Sequence, residues 1–189
     1  MKRTPLKRKS DLAFLIKTTF ASLFPARDIS HSCLQVAGVA CHVLKDAGYE
    51  AGIQAGSSFW PYKSILLDDK DTNTFGYEFD TKAAALALIN GKPPEIHVWV
   101  GIADTQEILD FTTEYQVKQC KKMLGHDWSP ELKLPEFIWH NVEDCLKRAW
   151  HYKPSRAATQ LAVQLWNNEL RALRKEEPTP LKLTCTANG

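Results

Sequence analysis

The stretch Ile96-His-Val-Trp-Val-Gly-Ile-Ala-Asp-Thr-Gln-Glu-Ile-Leu-Asp110 decides the fold. Ile96, Val98 and Val100 alternate with His97 and Trp99, the period of two that marks a strand. Ala103-Asp-Thr-Gln106 reads as a turn, and Glu107 to Thr113 as the returning antiparallel partner. In such a pair, directly opposed positions sum to a constant. An even-numbered loop centred near Asp104 makes that constant odd, so His97 and Asp110 share one face of the sheet. A three-residue loop would put them on opposite faces unless a bulge intervened.

Upstream, Ser30-His-Ser-Cys-Leu-Gln-Val-Ala-Gly-Val-Ala-Cys41 opens a second element. Cys33, Val36, Ala37, Ala40, Cys41 and Leu44 recur at helical spacing, which predicts a helix over 32–47. Ser30 or Ser32 suits its N-cap and Gly48 its C′ position. Cys33 then falls in the first turn, where unpaired N–H groups and the helix dipole favour a thiolate. Cys41, two turns on along the same face, reads as core. Together the segments run Cys33, His97, Asp110, the chain order of a thiol nucleophile, its base and the carboxylate that orients the base. The competing reading makes His97 a hydrogen-bonded core histidine and Cys33 a core thiol.

Composition narrows the class. The 189 residues suit one domain, and 44% hydrophobic with 24% charged residues fits an ordinary globular chain. A net charge of +2 points to neither a nucleic-acid binder nor an enzyme of acidic substrates. Five cysteines at irregular spacings do not form a disulfide framework, which suits a reducing compartment. Neither CxxC nor HExxH occurs, and Cys120, His126, His140 and Cys145 have no zinc spacing, so neither a metal nor another cofactor is expected. Leu12-Ala-Phe-Leu-Ile16 after a basic start has the outline of a signal peptide. Asp11 and Lys17 interrupt it, so 11–23 reads as an amphipathic helix and the expected location is the cytoplasm. No run reaches the ~18 apolar residues of a membrane span.

The remaining chain sorts into a basic arm over 1–10, one α+β domain over 11–176 and a loose tail over 177–189. Tyr49 to Ser57 suggests a strand broken by Phe59-Trp-Pro61, and Ser64 to Leu67 another short strand. Lys70 to Gly76 is polar and turn-rich, and Thr81 to Asn90 reads as a short buried helix stopped by Gly91. Residues 120–135 read as irregular. Helical apolar stripes over 136–152 and 155–175, separated by Pro154, predict a helical C-terminal extension that carries Trp139, Trp150 and Trp166.

Ser32-Cys-Leu-Gln-Val-Ala37, the turn and strand Gly48-Tyr-Glu-Ala-Gly-Ile-Gln-Ala-Gly56, His97-Val-Trp-Val100 and Ile108-Leu-Asp-Phe-Thr112 resemble the transglutaminase-like branch of the papain-like cysteine enzymes. The resemblance covers about 30–113 and says nothing of the C-terminal helices. It implies a papain/transglutaminase-like core, a Cys-bearing helix packed on an antiparallel sheet. It also implies Cys33 as nucleophile, His97 as general base and acid, and Asp110 as orienter of the imidazole. The activity implied is that of a cysteine protease, amidase or acyltransferase working through a Cys33 thioester on a peptide, protein or isopeptide substrate. That family places a Gln or Trp upstream of the nucleophile to complete the oxyanion hole, whereas residues 1–32 hold no Gln, Asn, Trp or Tyr. The Cys33 N–H then needs a second donor; Trp60, with Trp99 as a further oxyanion or substrate-binding candidate, stands in that role.

Two other classes remain open. One is an inactive binding protein on the same scaffold. The other is a nucleic-acid-associated protein using Lys2, Arg3, Lys7, Arg8 and Lys9, less favoured because no aromatic–basic interleaving accompanies the arm. No membrane partner is expected. Specificity would lie in loops such as 59–73 and 124–134.

Overall fold

The computed structural model describes residues 8–29, 32–62, 73–92, 94–124 and 134–175. Helix α1 spans Lys9–Leu23 and helix α2 Cys33–Asp46, close to the expected limits. Gly48, at φ +91°, lets the α2 C-terminus close: its N–H bonds the Lys45 carbonyl and the Tyr49 N–H bonds that of Leu44. Those two bonds make a Schellman cap. Gly38 serves another purpose, since a Cβ there would lie 2.3 Å from the Trp166 ring. Its bare backbone admits the C-terminal helix against α2.

Six antiparallel strands form a curled sheet. Strand β1 (Ala51–Tyr62) is long and serves three neighbours. β3 (His97–Ile102) pairs along 51–56, β2 (Asn73–Tyr77) along 58–62, and β6 (His151–Pro154) along 56–59. Gly56 opposes both His97 and Pro154, which puts β3 and β6 on opposite edges of β1. β4 (Glu107–Asp110) follows β3, and β5 (Ile138–Asn141) follows β4. Phe59-Trp-Pro61 does not break the strand as expected. Past Phe59 the β6 pairing ends, so among the described residues β1 has a neighbour on one side only, where a proline is tolerated.

The two faces of the sheet have different contents. Val98, Val100, Ile102 and Leu109 pack with Leu12 and Ile16 of α1, Val36 and Leu44 of α2, and Ala162 and Trp166 of helix α6 (Arg156–Leu173). Trp60, Trp99, Ile108, Ile138, Cys145 and Trp150 fill the other face. β3 is buried on both sides, which explains its nearly unbroken apolar run. His97 is the exception in that run.

Elsewhere the chain departs from the expected pattern. Lys70 to Gly76 was expected to be turn, yet Asn73–Tyr77 is β2. The strand expected over 107–113 stops at Asp110, whose side chain accepts the Thr112 N–H and turns the backbone. Helix α4 (Thr113–Leu124) begins there and runs into the stretch expected to be irregular. Helix α3 (Thr81–Ile89) is present but mostly not buried: Ala84 is fully buried and Leu88 half-buried, while Leu86 and Ile89 are exposed.

The largest correction concerns 136–152. It forms β5, the short helix α5 (Val142–Lys147) and β6 rather than one helix. Val142 and Leu146, members of the supposed stripe, are exposed, whereas Ile138 and Trp139 pair across β4. Sheet pairing overrides the helical periodicity. Ala149, at φ +55°, ends the chain's helical course before β6. Trp139 and Trp150 therefore lie in or beside strands, and only Trp166 is helical. The basic residues 1–7, the strand expected at 64–67, most of the loop 124–134 and the tail 177–189 fall outside the described residues. No described helix is long and apolar enough to cross a membrane.

Candidate functional site

Cys33 is the first residue of α2, and its helix has no side-chain cap: Ser32 Oγ donates to the Asp28 carbonyl at 2.8 Å. Cys33 is partly exposed, with its Sγ 4.0 Å from the Ile96 carbonyl oxygen. The next residue, His97, is 2% exposed and opens β3. The turn Ala103–Gln106 has four residues, and β3 and β4 pair as Val100↔Leu109 and Gly101↔Ile108. Opposed positions thus sum to an odd number, which puts His97 and Asp110 on one face.

His97 Nε2 donates to Asp110 Oδ2 at 2.8 Å. A carboxylate has no hydrogen to give, so Nε2 carries a proton and Nδ1 is the nitrogen left to face Cys33, whose nearness helps to raise the ring's pKa. Asp110, 1% exposed, is satisfied on both oxygens. Oδ1 accepts from the Thr112 N–H at 2.8 Å and from Thr112 Oγ1 at 2.7 Å. Oδ2 accepts from the Tyr152 hydroxyl at 2.9 Å as well as from His97. A buried charge with four donors can remain ionised.

Two opposed shifts follow. Burial works against charge on the His97 ring, but the Asp110 carboxylate and its hydrogen bond, with Cys33, outweigh burial and raise its pKa from 6.5 to about 10. Burial also works against charge on Asp110, and there the His97 charge and hydrogen bond, with the Thr112 donors, hold the carboxyl below its ordinary value. Burial pushes Cys41 up to about 12 and Cys145 up to about 11.

Aromatic rings box in the imidazole. Tyr77 stacks on it at 5.5 Å with planes 5° apart, and Trp99 at 5.8 Å and 26°. Trp60 meets it edge-on at 5.4 Å. This box fixes the ring and keeps water from the His97–Asp110 bond.

The structure thus bonds His97 to Asp110 and places Cys33 near enough to act on the His97 ring. It gives the two tryptophans other work. The Trp60 indole N–H donates to the Tyr152 hydroxyl at 3.3 Å, and that of Trp99 to Gln54 Oε1 at 3.0 Å. With those hydrogens engaged, the oxyanion role expected of Trp60 and Trp99 has no support in their hydrogen bonding. Their place is in the wall around His97.

Sequence reasoning missed Thr112, Tyr152, Tyr77 and Gln116. Thr112 had a signal: Asp followed by Thr two residues on is the spacing of a side-chain-closed turn. Tyr152 and Tyr77 had none, because each reaches the site through long-range strand pairing. Gln116 is 1% exposed in α4, and its carboxamide lies close enough to the Tyr77 hydroxyl to act on its pKa.

A cleft of about 920 Å³ opens elsewhere, lined among others by Gln54, Gly101, Glu107, Tyr152 and Arg156. None of Cys33, His97 and Asp110 lines it; Tyr152, bonded to Asp110, and Gln54, bonded to Trp99, join it to the site. Chemistry rather than volume therefore selects the Cys33 end. Among the described residues no group of His, Cys, Asp and Glu side chains gathers to hold a metal. Neither a family model, a curated protein sequence nor a solved structure matches this chain to significance.

Proposed function

We propose that this chain is a transglutaminase-like cysteine hydrolase or acyltransferase acting on amide bonds through a Cys33 thioester. One observation carries the reading: a buried His97 bonded through Nε2 to a fully satisfied Asp110 and electrostatically coupled to the helix-opening Cys33. The Cys33 thiol gives its proton to His97, the thiolate attacks the acyl carbon, and the C–O π electrons move onto oxygen to give a tetrahedral oxyanion. When the oxyanion collapses, the C–N bond breaks and His97 passes its proton to the departing amine. Water or a second amine then gives a proton to His97, attacks the thioester and releases the thiolate. Asp110 holds the imidazole in the tautomer these steps need.

The test is a peptide-amide substrate assayed by mass spectrometry for product and for an acyl adduct on Cys33. Adducts that disappear in Cys33→Ala and fall steeply in His97→Ala support the reading. An ordered, folded wild type that never acylates Cys33 refutes it. One observation favours an inactive binding protein instead: the 920 Å³ cleft lies away from Cys33. On that reading Cys33→Ala leaves ligand binding at the cleft unchanged.

A further inference from the structure

An acyl transfer needs two hydrogen-bond donors on the developing oxyanion. The Cys33 N–H at the uncapped start of α2 can supply one, and the Trp60 and Trp99 indoles are engaged with Tyr152 and Gln54. We propose that the Tyr77 hydroxyl is the second donor, held in position by Gln116. This rests on the acyl-transfer reading above.

Tyr77 ends β2 opposite Ser58 of β1, and His97 begins β3 opposite Gly56. Ser58 and Gly56 are two residues apart on one strand, so their partners share a face and lie side by side. The phenol ring consequently lies parallel to the imidazole, 5.5 Å away. Its hydroxyl is within electrostatic reach of Cys33. Burial first, then neighbouring Tyr115 and Cys33, push its pKa up, so it keeps its proton wherever a thiol enzyme works. A phenol that stays protonated is a donor throughout.

Gln116 supplies the second observation. Its carboxamide lies against Tyr77, and with the carbonyl oxygen unpartnered the amide N–H is the group that can donate to the phenolic oxygen. Such a bond turns the carbonyl end away, and Gln116 Oε1 is buried with no hydrogen-bond partner among the described residues. A buried orphan acceptor costs about 1–3 kcal/mol and calls for a reason. Orienting the Tyr77 hydroxyl is that reason: Gln116 fixes the phenol's lone pair and leaves its O–H for the oxyanion.

The experiment compares two reactions of Cys33. 4-Nitrophenyl acetate acetylates it through a tetrahedral oxyanion, whereas iodoacetamide alkylates it by displacement with no oxyanion. Tyr77→Phe keeps the ring stacked on His97 and should slow acetylation about 10²-fold or more while leaving the alkylation rate alone. Gln116→Met keeps the volume and drops the donor. It should give a smaller loss in acetylation alone, and add little on top of Tyr77→Phe, as expected of a positioning residue. Equal slowing of both reactions, or of neither, overturns the proposal while leaving the acyl-transfer reading standing. A folded wild type whose Cys33 alkylates but never acetylates overturns that reading, and this proposal with it.

Discussion

Asp110→Asn removes one charge from a buried pair and changes almost no volume. In the native protein the His97 pKa stands at about 10 against an ordinary 6.5. At ~1.4 kcal/mol per unit, that rise is worth roughly 5 kcal/mol of preference for the charged ring. Burial is the largest single influence on His97 and acts downward. With the Asp110 charge gone, the ring should therefore titrate below 6.5. Asn can still accept from Thr112, and its amide can donate to a neutral His97 Nε2.

The stability consequence has a definite sign. Because folding raises the His97 pKa, its contribution is complete below ~6.5 and fades as pH climbs through about 10. Folding lowers the Asp110 pKa, so its contribution is present above ~4 and fades as pH falls through the lowered value. Wild type and Asp110→Asn should accordingly converge in stability as the medium becomes alkaline. Roughly 3 kcal/mol of the wild-type advantage should vanish between pH 6 and pH 9. Urea unfolding of both proteins at the two pH values measures this, and the difference cancels tyrosine and cysteine titrations common to both. Ring-proton NMR of His97, identified by its loss in His97→Ala, gives the pKa directly. A wild-type His97 that titrates at or below 6.5, or an advantage that stays flat with pH, would refute the coupling.

Other outcomes follow from packing and ionisation. Iodoacetamide at pH 8 should label Cys33 in the folded protein and spare Cys41 and Cys145, whose burial holds them up to about 12 and about 11; peptide mass mapping showing equal labelling of Cys41 would count against the site. Gly38→Ala should lower stability by about 1–3 kcal/mol despite the better helix propensity of alanine, because its Cβ would meet Trp166 at 2.3 Å. An unchanged denaturation midpoint would mean that α2 and α6 do not touch there. The double variant His97→Leu/Asp110→Asn should unfold within about 1–2 kcal/mol of wild type at pH 7, yet lose Cys33 acylation. A loss above about 4 kcal/mol would favour the core-histidine reading.

The β3–β4 register was legible because it depends on counting loop residues. Four residues from Ala103 to Gln106 suffice to put His97 and Asp110 on one face. The α2 span was legible because its apolar stripe and Gly48 agree, so that local propensity and tertiary packing point the same way. At 136–152 they disagree. Val142, Cys145 and Leu146 repeat at helical spacing, but Ile138 and Trp139 find a strand edge at β4, and no local signal announces a partner about thirty residues away. The same limit hid Tyr152 and Tyr77. Each is placed by pairing with β1, so each was invisible until the sheet existed.

The energetic character of the His97–Asp110 pair bears on its purpose. Desolvating two charged groups costs several kcal/mol each, and a buried pair repays that only with complete hydrogen bonding. Here the repayment takes two Thr112 donors, the Tyr152 hydroxyl behind them and the Trp60 indole behind that. An apolar pair of equal volume would serve a core as well and would need none of these partners. Stability alone therefore gives little reason to wall an imidazole with Tyr77, Trp60 and Trp99 and to bond it to one carboxylate. What the arrangement yields is a ring of fixed orientation that holds its proton near a partly exposed sulfur. Core packing has no use for such a proton, whereas the proposed acyl transfer needs one for its departing amine.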